Sequence, residues 1–201
     1  MIYAIAKFMF SVYFKLLFRA RVKGAENLPK EGAVILAANH MSNWDPPFLA
    51  CFLSRPVSYM AKIELFANPI FAAAIRGCHA FPVKRGAADR GAIKAAVQVL
   101  KEGCVLGLFP EGTRSRTGKM KKAEAGVGLI ASMTNAPVLP AAIIGTDCIF
   151  ANGRLFPKIT VVYGKPMHFE GNRKNKEELE AFSQAVLDKI YEMKENENNI
   201  C

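Results

Sequence analysis

The chain is poor in the residues that build metal centres and disulfide frameworks. Among 201 residues there are three histidines and five cysteines. Cys51, Cys78, Cys104, Cys148 and Cys201 are odd in number and widely scattered, and no Cys-x-x-Cys pair occurs. No metal site is assigned on this pattern, and reduced thiols in a cytosolic compartment are the natural reading. Acidic residues are also few, 17 against 27 Lys and Arg, for a formal charge of +10. That balance favours anionic partners such as nucleic acid, lipid headgroups or phosphorylated substrates. Nucleic acid is not expected, because the positive charge is spread along the chain and forms no recognised nucleic-acid motif with the aromatic residues. There is no internal repeat and no linker, and low complexity is confined to the polar segment Lys194 to Asn199. What is abundant is apolar side chain, 51% of residues. This excludes a disordered chain and predicts one domain with a substantial core.

The N-terminus is the most lipid-like part. Residues 1–18 are nearly all apolar or aromatic, and the exceptions Lys7, Ser11 and Lys15 continue to Arg19 at steps of four. Each step drifts about 40° on a helix, so the four form one polar stripe roughly 120° wide. Such a helix suits the membrane interface, with its basic residues toward headgroups. A spanning helix would place Lys7 inside the bilayer at a cost of about 3 kcal/mol. A signal peptide would need a basic start and a small-residue cleavage site, which are lacking. A helix packed only on its own domain is the third reading. Arg19, Arg21 and Lys23 follow directly and suit anionic lipid, which would keep the rest of the chain on the cytoplasmic side. The expected organisation is thus an interfacial helix, 1–20, and a domain, 21–201, monotopic or peripheral at the cytoplasmic face of the membrane.

Downstream, strand-like and helix-like runs alternate. Strands are expected at 33–38, 57–61, 79–83, 104–109, 138–144 and 158–163. Helices are expected at 46–53, 69–76, from Asp89 to Gly103, at 123–133, and at 177–193 with Leu179, Phe182, Val186, Ile190 and Met193 inward. The alternation predicts an α/β fold with a mixed β-sheet flanked by helices.

Two strand ends carry the chemistry. After the apolar run 33–38 comes Asn39-His40-Met41-Ser42-Asn43-Trp44-Asp45. A neutral imidazole can take a proton from an alcohol near neutral pH, and a carboxylate on its other nitrogen fixes the tautomer. The structural alternatives are that Asp45 caps a helix beginning at Pro46 and that His40 is a satisfied buried histidine. After the run 104–108 comes Phe109-Pro110-Glu111-Gly112-Thr113-Arg114-Ser115, a carboxylate, a glycine, two hydroxyls and a guanidinium where ligands of open α/β sheets bind. Glu111 is too acidic by default to replace His40 as a base.

Asn-His-x-Ser-x-x-Asp followed by Phe-Pro-Glu-Gly-Thr-Arg-Ser resembles the glycerolipid acyltransferases, specifically the 1-acylglycerol-3-phosphate acyltransferases. Lys62-Ile63-Glu64-Leu65-Phe66 leading to Phe81-Pro82-Val83-Lys84-Arg85 is similar to that family's second block, and Val138 to Ile143 to its fourth. The resemblance runs from about Val22 to about Gly164. Two departures are Ala72, near which the family has glycine, and Leu139 in place of valine.

The resemblance implies acyl transfer from an acyl thioester to the sn-2 hydroxyl of lysophosphatidic acid, giving phosphatidic acid for phospholipid biosynthesis. It implies no cofactor beyond the acyl-carrier protein or coenzyme A that brings the acyl group. His40 would be the general base and Asp45 its orienting partner. Arg114 and Lys62 would bind the acceptor phosphate with Arg85 nearby, Glu111 and Thr113 would fix the glycerol or hold Arg114, and Gly112 would let backbone approach the substrate. A covalent route through Ser42 is the alternative, although no Gly-x-Ser-x-Gly elbow surrounds it. Backbone amides near Gly112 or Pro140 are candidate oxyanion donors. The basic run Lys119-Met120-Lys121-Lys122 is a candidate phosphate or membrane contact, and 66–81 a candidate acyl slot. A different acceptor (another lysophospholipid or glycerol 3-phosphate) and a non-enzymatic basic module remain as alternatives.

Overall fold

A computed structural model describes residues 2–83, 90–114, 122–150 and 156–198. A single seven-stranded sheet organises the chain. Its strands are β1 (Arg21–Lys23), β2 (Val34–Ala38), β3 (Val57–Lys62), β4 (Ala80–Val83), β5 (Val105–Leu108), β6 (Val138–Ile144) and β7 (Thr160–Tyr163). The spatial order is β1-β7-β6-β2-β5-β3-β4, parallel except for the antiparallel pair β6 and β7. The helices are α1 (Ile2–Phe18), α2 (Asp45–Cys51), α3 (Pro69–Gly77), α4 (Arg90–Lys101), α5 (Gly126–Thr134) and α6 (Lys176–Asn198).

The fold is the mixed α/β sheet that the alternation of runs implies. β2 is buried at every residue because both faces of the sheet are covered. Val34, Leu36 and Ala38 face the core under α1 and α2, while Ile35 and Ala37 face the core under α4, α5 and α6. The four central strands β6-β2-β5-β3 run parallel, so their C-terminal ends share one edge. His40, Phe109 and Thr146 follow three of those ends, and Lys62 closes the fourth. That is how positions far apart in sequence become neighbours.

Three features differ from the sequence expectations. β1, a strand the sequence reading did not include, lies in the segment read as a basic anchor; Arg21–Lys23 pair in parallel with Thr160–Val162. Three residues carry no period, so only the distant partner makes them a strand. The polar segment after 193 continues α6 to Asn198, with Lys194 over the Tyr191 ring and Glu197 paired to Lys23 at 2.6 Å. Good helix formers extend a helix when their side chains find partners on the domain.

The third concerns α1. Lys7 donates to the Leu53 carbonyl at 2.6 Å, and Lys15 lies 5.7 Å over the Phe52 ring. Lys7 therefore turns toward the domain, while Lys15 is exposed at its edge. The outward side carries Ile2, Ile5, Met9, Val12 and Leu16, spaced by three and four residues, with Phe8 and Leu17 beside them. Phe14 and Phe18 are fully buried and belong to the main core. Among the described residues, no helix is long and apolar enough to cross a membrane.

Candidate active site

The His40 ring follows β2 by two residues and is nearly buried. Its Nδ1 lies 2.8 Å from Asp45 Oδ2. Asp45 begins α2, but its carboxylate turns back toward the loop before the helix instead of capping the turn ahead. Oδ2 also accepts the backbone N–H groups of Met41 and Ser42, each at 2.7 Å, and Oδ1 accepts the Thr146 hydroxyl at 2.5 Å. Asp45 is wholly buried. Burying a carboxylate is costly unless donors surround it, and here four do. With Nδ1 held as the donor, Nε2 is the nitrogen left to act in the cavity that the ring lines.

Asn39 secures the base of this loop. Its side-chain amide copies a strand residue, donating to the Ile143 carbonyl at 2.8 Å and accepting the Ile143 N–H at 2.7 Å. Phe109 stacks on the imidazole with ring centres 4.0 Å apart and planes 17° apart. Tyr59 continues the stack at 6.3 Å from Phe109. Gly107 is required beneath it, because a Cβ there would collide with the Tyr59 ring. Burial holds the Tyr59 phenol well above its ordinary pKa, so it stays protonated.

His40, Lys62 and Arg114 line one cavity of about 740 Å³. Arg114 Nη1 donates to Asn43 Oδ1 at 3.0 Å, which ties the segment after β5 to the His40 loop. The remaining wall is mainly apolar and includes Phe10, Ala50, Val57, Leu65, Phe71 and Ile75. The stretch 66–81 supplies part of that wall, with Phe71, Ile75, Cys78 and Ala80 among the lining residues. Tyr3, Ala6, Lys7 and Phe10 of α1 supply another part. Burial pushes the Cys51 thiol on this wall up to about 12.

Glu111, Gly112 and Thr113 of the second motif are not among the cavity-lining residues. Glu111 is buried, and its Oε1 accepts the His40 backbone N–H at 3.2 Å. Gly112 has φ 66°, a left-handed turn, and a Cβ there would strike the Glu124 carboxylate. Its N–H donates to Phe109 O at 2.9 Å, so it is committed within the loop rather than aimed at an oxyanion. Pro140 lacks an N–H and sits mid-strand opposite Ala37. Thr113 is exposed, and its N–H donates to Glu111 O at 2.7 Å. Tyr191 of α6 approaches from below; burial first and the Glu111 carboxylate second push its phenol up to about 12. Ser42 Oγ accepts the Trp44 N–H at 3.3 Å, the work of a turn residue.

Arg85 and Lys84, and positions 119–121 of the basic run, lie outside the described residues. Lys122 stands 3.8 Å from Glu180 of α6. Among the described residues, no group of three or more His, Cys, Asp or Glu is placed to hold a metal ion. Sequence reasoning did not single out Thr146, Asn43 or Phe109. Asn43 and Phe109 lay inside the motifs, and the signal for Thr146 was a hydroxyl directly after the strand-ending Gly145.

The Acyltransferase family profile matches residues 19–144, more than half of the chain and both motifs just described. The chain belongs to the acyltransferase family. This acyltransferase is 34% identical over 179 residues to the 1-acyl-sn-glycerol-3-phosphate acyltransferase of Bacillus subtilis, covering 86% of this chain and 87% of the relative. It is 34% identical over 165 residues to the protein of that name in Pseudomonas aeruginosa, covering 76% of this chain and 61% of the relative. Its fold matches the crystal structure of the 1-acyl-sn-glycerophosphate (LPA) acyltransferase of Thermotoga maritima with a TM-score of 0.77 and 32% identity, covering 95% of this chain and 79% of that one.

Proposed function

We propose that this acyltransferase moves a fatty acyl group from an acyl thioester to the sn-2 hydroxyl of 1-acylglycerol 3-phosphate, forming phosphatidic acid. The observation that carries the reading is a buried His–Asp pair opening on a cavity that also holds Arg114 and Lys62 and is otherwise mainly apolar. That combination fits a substrate with a hydroxyl, a phosphate and acyl chains. Relatives with this printed activity, aligned over most of the chain, support it.

In this reading His40 Nε2 removes the hydroxyl proton as the oxygen attacks the thioester carbonyl carbon. Asp45 stabilises the imidazolium that forms. Collapse of the tetrahedral intermediate breaks the C–S bond, and the imidazolium proton goes to the departing thiolate. The products are an ester and a free thiol, with no acyl-enzyme. Base assistance of this kind contributes about 10²–10⁴-fold. Arg114, preset by Asn43, grips the acceptor phosphate through its planar fork, with Lys62 as a second charge.

The enzyme works at a membrane surface. Ile5, Phe8, Met9 and Leu16 on α1 are exposed, as are Ile63, Leu65, Ile70 and Phe71 near the cavity. Burying these side chains in acyl chains at the cytoplasmic face would be favourable at about 25 cal/mol per Å².

The deciding assay mixes purified protein with acyl-carrier protein and coenzyme A thioesters and matched lysophospholipids, with thiol release followed and products resolved by mass. Thiol release that depends on lysophosphatidic acid, yields phosphatidic acid and disappears in His40→Ala is expected. Turnover only with another lysophospholipid or glycerol 3-phosphate would move the acceptor assignment. Full turnover in His40→Ala would remove the base.

A further inference from the structure

We infer that Thr146 is a positioning residue of the His–Asp pair. This step rests on the acyl-transfer reading of the site. Asp45 Oδ2 is crowded by three donors, His40 Nδ1 and the N–H groups of Met41 and Ser42, all within the same loop. Oδ1 has a different source of support, the Thr146 hydroxyl at 2.5 Å from the turn that follows β6. The Thr146 side chain is entirely buried.

The χ2 torsion of an aspartate is broad and close to two-fold, and rotation about Cβ–Cγ moves both oxygens together, so three donors from a single loop leave the carboxylate free to shift along with that loop. A donor on the second oxygen removes that freedom. Any rotation that lifts Oδ2 from Nδ1 loosens both the tautomer and the ring orientation of His40. Small misplacements of this sort are costly when a proton must transfer over one hydrogen bond.

The chain takes specific steps to bring Thr146 there. β6 ends at Ile144, and Gly145 turns the backbone with φ 85°, a conformation L side chains avoid. A Cβ at 145 would also press the Lys158 carbonyl at 2.6 Å. Thr146 then opens a short 3-10 turn to Cys148. The Asn39 side chain pins Ile143 to the His40 loop by two hydrogen bonds, so the end of β6 cannot slide relative to the pair it supports. The turn is packed in its own right, with Phe150 against both Phe18 and Trp44. Thr146 lies just beyond the stretch 19–144 that matches the family profile.

The test compares Thr146→Val, which keeps shape and loses the donor, with Thr146→Ser, which keeps the donor. Acceptor KM and kcat are measured for each, with melting temperatures and the low-field proton resonance of the His40 Nδ1–H, identified by its loss in His40→Ala. The expected result for Thr146→Val is a kcat lower by about tenfold or more with acceptor KM changed less than about twofold, and a displaced or broadened low-field resonance. Thr146→Ser should recover kcat to within about threefold and restore the resonance. Wild-type kcat in Thr146→Val would overturn the inference. So would equal losses in Val and Ser variants that track a falling melting temperature, since a packing role alone produces that pattern. A wild-type protein with the low-field proton but no transfer to any acceptor would refute the proposed function instead; the resonance in the two variants would still decide the role of Thr146.

Discussion

Asp45→Asn separates charge from geometry at this site. The three donors on Oδ2 fix where the remaining oxygen must go: an amide nitrogen there would face the N–H groups of Met41 and Ser42 at 2.7 Å. The amide oxygen therefore stays toward His40, and the new NH2 takes the place of Oδ1. Thr146 can accept that NH2 by rotating its hydroxyl. His40 keeps its orientation and its Nδ1–H tautomer, and what is lost is the negative charge. At 2.8 Å and an effective dielectric constant near 20, an imidazolium–carboxylate attraction is about 6 kcal/mol. A neutral hydrogen bond retains roughly half of this, so the transition state loses about 3 kcal/mol, or about a hundredfold to two-hundredfold in kcat. Acceptor KM should stay within about threefold, because Arg114 and Lys62 are untouched. The melting temperature should hold or rise slightly, since a buried charge has been removed without a change of shape. Steady-state thiol release at saturating acceptor, with thermal unfolding in parallel, measures both. A kcat within about tenfold of wild type would refute the charge-stabilisation argument and leave Asp45 as a structural tether.

Arg114→Lys keeps a charge but loses the fork that meets Asn43, so acceptor KM should rise about tenfold with kcat nearly constant; an unchanged KM would remove Arg114 from phosphate binding. Phe8→Glu and Leu16→Glu act on side chains 69% and 74% exposed, so they should leave the melting temperature alone yet weaken co-sedimentation with anionic vesicles by about tenfold or more. Binding equal to wild type would exclude this face as the lipid contact. Stability should fall as pH rises above about 9, because an unfolded Cys51 thiol loses its proton there while the folded one holds it to about 12. Tyr191 adds to this loss above pH 10, with its folded value also pushed up to about 12. Denaturant midpoints from pH 8 to 11 should therefore decline less steeply in Cys51→Ala than in wild type; identical slopes would reject the thiol contribution.

The pairing of His40 with Asp45 was legible in the chain because both sit in one short loop after an unmistakable buried strand, where five residues of separation already bring two side chains within reach. The strands of the central sheet were legible for the same reason: a run buried on both faces has no polar alternation to mislead. The elements that sequence reasoning missed or misplaced all depend on distant partners. β1 is a strand only because β7 accepts its pairing, and α6 runs past Met193 because Glu197 meets Lys23 and Lys194 meets Tyr191 and Met41. The stripe on α1 was read as facing headgroups, but Phe14 and Phe18 pack into the core and Lys7 bonds a domain carbonyl, which leaves an apolar side outward.

Local sequence determined the chemistry that can occur: which strand ends carry an imidazole, a carboxylate and a guanidinium, and which helix has a face that can leave water. Only the tertiary structure decided that Glu111 supports the His40 backbone, that Asn43 presets Arg114, and that Thr146 completes the shell around Asp45. The physical reason is the parallel sheet. It gathers the ends of β6, β2, β5 and β3 along one edge, and no spacing along the chain encodes which side chains will face each other across it.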